Sequence, residues 1–145
     1  MQISYQLLRP DAQPPVYSSA GAAGADLCAC LDAPLTIAPG ETVFLHTGLA
    51  MAIPVGYAGL VYARSGMAAK RGLAPANKVG VIDPDYRGEL LVSLHNHGSE
   101  PQTIQPGERV AQLIITPYVT GEFLRAEALD ETDRGAGGYG STGRF

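Results

Sequence analysis

The chain has 145 residues, 46% of them hydrophobic, enough to bury a core of its own as a single domain. Its net charge of −4, with no block of Lys or Arg, argues against capture of nucleic acid or an anionic membrane by charge alone. No apolar stretch approaches the roughly 18 residues of a membrane span, and Met1-Gln2-Ile3-Ser4-Tyr5 does not open a leader, so a cytoplasmic protein is expected.

Eighteen glycines and eleven prolines are spread along the chain as isolated punctuation, the pattern of many short strands joined by turns. An all-β fold is expected. Ile3 to Leu8 reads as the first strand, and three prolines between Arg9 and Pro15 break it into a surface loop. Ala22-Ala23-Gly24-Ala25-Asp26-Leu27 then brings small residues, an acid and a strand running through Cys30. Asp26 reads equally as a turn cap or as a site acid. Cys28 and Cys30, two apart, share a strand face and read as packing; with His46, His95 and His97 they show no metal-ligand spacing.

Pro39-Gly40 separates Leu35-Thr36-Ile37 from Thr42-Val43-Phe44-Leu45, and Pro54-Val55-Gly56 separates the strand ending at Ile53 from one running Tyr57 to Tyr62. Both read as meander connections within a sandwich, jelly roll or barrel. Arg64 to Gly72 carries the one helical signal, with Ser65 as N-cap, alanines inside, and basic residues and glycine at the end. Arg64 stands at the unfavourable end for a cation unless an anion neutralises it, which points to a phosphate.

Gly80-Val81-Ile82-Asp83-Pro84-Asp85-Tyr86-Arg87-Gly88-Glu89 concentrates three acids, an aromatic ring and a guanidinium immediately after a β-branched run. It reads as a tight hairpin presenting Asp83 and Tyr86. Leu90, Val92 and Leu94 then alternate with Leu91, Ser93 and His95 as a half-buried strand. Val110 to Ile115 is apolar on both faces apart from Gln112, so one face is expected in the core and the other against a second subunit or sheet. Gln112 needs a partner there, and a ligand is one candidate. After Leu129 the composition turns polar and glycine-rich: either a disordered tail, or a lid whose arginine, aromatic ring and backbone N–H groups close over a phosphorylated ligand.

Five segments, in order, resemble the five motifs of the trimeric deoxyuridine triphosphatases: Ala23 to Leu27, Arg64-Ser65-Gly66, Gly80 to Gly88, Pro106 to Ile114, and Arg134 to Gly143. The hairpin region is most similar to bacterial members. The resemblance implies a jelly-roll-like β-barrel or sandwich over residues 1–129 with one short helix. It also implies a flexible arm over 130–145 that completes the site, and a homotrimer with sites at its interfaces. The implied reaction is Mg²⁺-dependent hydrolysis of dUTP to dUMP and pyrophosphate, which limits uracil in DNA and supplies dUMP for thymidylate synthesis.

By the same resemblance Asp83 would deprotonate the water attacking the α-phosphorus, and Tyr86 would pack under the deoxyribose. Asn77 and the hairpin backbone, Val81 included, would read the uracil edge. Arg64, Ser65, Gly66 and Gln112 would hold the phosphates, and Asp26 would touch the water shell of a Mg²⁺ carried mainly by the substrate. Arg134 and Tyr139 would come from the arm to the γ-phosphate and the uracil. Ala63 stands where a proline often precedes the Arg-Ser-Gly motif, and Tyr139 where phenylalanine is commoner. Two rivals are a dCTP deaminase of the same fold, which would carry a glutamate about where Ser93 stands, and a non-enzymatic jelly-roll trimer.

Overall fold

Within residues 1–138, those described by a computed structural model of the chain, twelve short strands and one helix follow one another. In chain order these are β1 (Ser4–Leu7), β2 (Val16–Tyr17), β3 (Ala25–Cys28), β4 (Leu35–Ile37), β5 (Thr42–His46), β6 (Leu49–Ala52) and β7 (Tyr57–Ala63). There follow α1 (Ser65–Arg71), β8 (Leu73–Pro75), β9 (Gly80–Ile82), β10 (Leu91–Asn96), β11 (Gln102–Ile104) and β12 (Arg109–Pro117). The fold is the expected all-β, jelly-roll-like architecture with one short helix. It is not a closed barrel: the strands fall into sheets of two (β1-β6), three (β5-β10-β8), two (β11-β4) and five (β2-β3-β12-β7-β9).

The meander expectation is overturned. Pro39-Gly40 does separate β4 from β5, yet β4 pairs with β11 and β5 with β10. Likewise β6 pairs with β1, while β7 pairs with β12 and β9. Turn residues mark where a strand stops; the partner is chosen by which apolar faces bury together, and here the chain crosses between layers at almost every turn.

All four sheets contribute to one core. Leu27 of β3, Ile37 of β4, Leu45 of β5, Leu49 of β6, Leu73 of β8, Leu94 of β10 and Ile104 of β11 are fully buried. Each such side chain contributes about 1.5–3 kcal/mol relative to exposure. The alternation read at Leu90, Val92 and Leu94 is real, since all three are buried and Leu91 is exposed.

The helix forms where expected and ends at Gly72 in the left-handed region, φ 64°. Its N-cap is Arg64, not Ser65, and no side chain caps it. Arg64 is extended (φ −78°, ψ 137°) and its guanidinium turns away to a carboxylate. At the other end Arg71 binds Gln102 Oε1, the Thr103 carbonyl and Glu108, which ties the helix to the turn that enters β12.

The hairpin expectation also changes. The Asp83–Tyr86 turn exists, with the Tyr86 N–H donating to the Asp83 carbonyl at 3.2 Å. However, β9 pairs with β7 and β10 with β5 and β8, so residues 83–90 cross from one sheet to another. β12 is the last strand among the described residues; from Tyr118 to Gly138 there is neither helix nor strand, and Val119, Phe123 and Leu124 are exposed. No helix among the described residues is long and apolar enough to cross a membrane.

Candidate active site

The five-stranded sheet sets one group of side chains by register. Asp26 of β3 pairs with Gln112 of β12, which pairs with Tyr62 of β7. Cross-strand partners share a face, so the acid and the amide stand side by side on the face opposite Leu27. Just past the end of β7, Arg64 folds back: its Nε donates to Asp26 Oδ1 at 2.7 Å. Asp26 Oδ2 accepts from the Ser18 hydroxyl at 2.8 Å and from Arg109 Nη1 at 3.1 Å.

Asp26 is therefore a buried carboxylate, its side chain only 10% exposed, between two guanidiniums. Burial alone would push its pKa up; the Ser18 hydroxyl and the Arg64 and Arg109 charges outweigh that and hold it below the usual carboxylate range. It is ionised at neutral pH. Asp26 lines a cleft of about 460 Å³ with Ser18, Tyr17, Cys28 and Arg109. Burial also pushes the Cys28 thiol up, so Cys28 is not a thiolate beside that acid.

Gln112 finds its partner inside the chain: Nε2 donates to the Ala63 carbonyl at 2.8 Å, fixing the backbone from which Arg64 departs. A Cβ on Gly24 would stand 2.6 Å from Gln112 Oε1, so the glycine in front of Ala25-Asp26 is what lets the amide lie there. Ser65 and Gly66 follow Arg64 in the first turn of α1 and are exposed.

A second group lies at the other end of the same sheet. Asn77, Gly80, Val81 and Ile82 line a cleft of about 110 Å³ whose opposite wall is Leu91, Val92 and Ser93 of β10. Asp83 and Tyr86 follow directly and are exposed to solvent. Because Ile82 pairs with Gly59 and Ala111 with Ala63, Asp83 stands beside the start of β7 and Arg64 beyond its end. At about 3.3 Å per residue the two are about 20 Å apart along the strand.

Among the described residues, then, one chain brings Asp26, Arg64 and Gln112 together, and separately sets Asn77 and Val81 in one cleft with Asp83 and Tyr86 on the turn that follows it in the chain. Arg134 joins neither group; its Nε donates to the Gly137 carbonyl at 2.9 Å within its own turn. Tyr139 lies outside the described residues. Sequence reasoning missed Ser18 and Arg109, the other partners of Asp26. Arg109 sat within the quoted Pro106–Ile114 motif, but nothing in its spacing tells that β12 pairs with β3.

A family model described as dUTPase matches residues 11–143. A deoxyuridine 5′-triphosphate nucleotidohydrolase of Desulfitobacterium hafniense is 52% identical over 99% of this chain and 97% of its own length. One of Leptothrix cholodnii is 48% identical over the same shares. Among solved structures, a dUTPase of Staphylococcus bacteriophage 80alpha bearing dUpNHpp superposes with a TM-score of 0.84, 27% identity and 98% coverage of both chains. A dUTPase of phage phi11, described as coordinating a structural Mg(II) ion, gives 0.78 at 26% identity, covering 88% of this chain and 98% of that one.

Proposed function

The chain belongs to the dUTPase family and hydrolyses dUTP to dUMP and pyrophosphate; we propose that it does so at sites shared between copies of itself in a homotrimer. The observation that carries this reading is the separation of Asp83 from Arg64 by about 20 Å along β7. A general base has to lie within hydrogen-bond reach of the water it activates, and that water has to reach a phosphorus held by the phosphate ligands. A single chain supplies each half and keeps them apart. A second copy that sets its phosphate half against the first copy's Asp83 half satisfies both requirements.

In that site Asp83 accepts the proton of the attacking water, the new O–P bond forms at the α-phosphorus, and pyrophosphate leaves. Tyr86 packs under the deoxyribose, and Asn77 with the Gly80–Ile82 backbone, Val81 included, reads the uracil edge in the cleft they line. Arg64, Ser65, Gly66 and Gln112 hold the phosphates, Asp26 setting the guanidinium of Arg64 and Gln112 setting the Ala63 carbonyl behind it. Arg134 and Tyr139 close from the arm, residues 130–145, onto the γ-phosphate and the base.

Mg²⁺ bound with the substrate phosphates would supply charge neutralisation for the leaving pyrophosphate. Asp26 fits an outer contact to that ion through water: it is ionised and lines an open cleft. Its oxygens already accept three donors, so direct ligation would require it to give up a guanidinium.

Ser93 occupies the wall of the base cleft near where the related deaminases carry glutamate, and a serine hydroxyl does not replace that acid. Pyrophosphate release across the deoxynucleoside triphosphates tests the reading. Release from dUTP and not from dCTP or UTP is expected; uracil formed from dCTP would overturn it.

A further inference from the structure

The ring of Tyr86 is held more firmly than an exposed loop residue needs to be. It lies directly over Gly88: a Cβ there would stand 2.4 Å from Tyr86 Oη and 2.6 Å from Cζ. Its hydroxyl donates to the Glu89 carbonyl at 2.9 Å. Glu89 is gripped in turn by the corner between β5 and β6. Its Oε1 accepts the Gly48 N–H at 2.8 Å, and its Oε2 accepts from His46 Nδ1 at 2.8 Å.

The next residue is fixed from the same corner. The Thr47 hydroxyl donates to the Leu90 carbonyl at 2.6 Å, and the Leu90 N–H donates to the Leu49 carbonyl at 2.7 Å. Thr47, Leu49 and Leu90 are all buried. The loop that carries Tyr86 is therefore exposed over residues 85–88 and pinned to the core at Glu89 and Leu90, where the tyrosine hydroxyl is anchored. Burial would push the Glu89 carboxyl up, but His46 and the Gly48 N–H outweigh it and hold it low, so it is a charged acceptor at neutral pH.

We infer that Glu89, clamped by His46 and Gly48, is a positioning residue for Tyr86 and sets how sharply the enzyme separates deoxyribose from ribose. The inference rests on the reading of Tyr86 as the residue that senses the sugar. Excluding one hydroxyl by contact requires the excluding ring to stay in place to well under about 1 Å, since a looser ring yields to the larger sugar. Gly88, lying against Oη, Cζ and Cε2, and the Glu89 carbonyl, which accepts from Oη, both confine the ring at its hydroxyl end.

The test compares kcat/KM for dUTP and UTP, by pyrophosphate release, alongside thermal unfolding. Glu89→Ala is expected to raise the UTP-to-dUTP ratio about tenfold, whereas Glu89→Gln, whose amide oxygen still accepts from Gly48, stays within about twofold of wild type. In a Tyr86→Ala background, which itself raises the ratio, adding Glu89→Ala is expected to change it no further. A lowered Tm with an unchanged ratio would make Glu89 merely structural and overturn the inference while leaving the role of Tyr86 standing. An unchanged ratio in Tyr86→Ala would instead overturn the sugar reading and this inference with it. Should Glu89→Ala fail to fold, Gly88→Ala displaces the ring without touching the corner. It is expected to raise the ratio by a similar factor, and no rise would overturn the inference.

Discussion

Arg64 and Asp26 meet at 2.7 Å, the guanidinium Nε donating to a carboxylate that Arg109 and Ser18 also hold. The pair joins the segment after β7 to the strand two places across the sheet, and it orients the cation proposed to receive the phosphates. Asp26→Ala leaves two guanidiniums without their counter-charge. Breaking a buried pair costs about 3–5 kcal/mol; with Arg109 half exposed to water, about 2–3 kcal/mol is expected here. Urea unfolding of the variant measures it, and dUTP turnover should fall as Arg64 loses its orientation.

The same carboxylate gives the enzyme an acid limit. A group whose folded pKa lies below its unfolded value of about 3.9 contributes its full stability above that pH, and loses it as pH falls through the folded value. Glu89 adds a contribution of the same sign. The urea midpoint should therefore drop on acidification below about pH 4, and less steeply in Asp26→Ala than in wild type. Equal slopes in both proteins would remove Asp26 as the cause.

Asp83 is exposed, and its backbone carbonyl, not its carboxylate, holds the turn. Asp83→Asn should therefore fold with unchanged stability and bind nucleotide. Its kcat should fall by about 10²–10⁴, since the amide does not accept the proton of the water. Turnover within a few-fold of wild type would take Asp83 out of the mechanism.

If each site takes Asp83 from one copy and Arg64 from another, two inactive variants should repair each other. Asp83→Asn and Arg64→Ala, refolded together, should recover about a quarter of wild-type activity, the share of interfaces that pair two intact halves at random. Sedimentation should show a trimer in each preparation. Mixtures as inactive as their components, or a monomer that retains full turnover, would contradict the shared site.

Chain truncation after Asp133 removes a segment whose glycine-rich, polar composition cannot build a core. Arg134 bonds only within its own turn among the described residues, so the unfolding free energy should change by less than about 0.5 kcal/mol. If the arm closes over the nucleotide as proposed, turnover should fall on the order of 10²-fold or more, with binding weakened less. Full-length rates in the truncated protein would leave the arm without a catalytic part.

Much of this was legible in the residues themselves. Alternation at Leu90, Val92 and Leu94 and the Gly and Pro punctuation depend on neighbours in the chain, so the longer strands and the helix are legible to within a residue or two, whereas β2, β8 and β11, of two or three residues each, carry too little pattern to read. The chemistry of Asp26, Arg64, Asp83 and Tyr86 marked them as site candidates, and five ordered motifs named the family. Local rules went wrong where a partner lay elsewhere. Ser65 has the right side chain for an N-cap, but Arg64 occupies that position and turns its guanidinium across the sheet to Asp26. Gln112 has to find a partner by the same rules, and only the fold shows that one of its N–H groups goes to the Ala63 carbonyl of the neighbouring strand.

The strand partners, the clamp of His46 on Glu89 and the division of the site into two halves at opposite ends of β7 were decided only by the tertiary structure. Backbone conformation at a turn is a local property. Closing a long loop costs little more than closing a short one, so pairing is governed by which distant apolar faces bury best together. Those pairings set the register, and the register determines which charges meet.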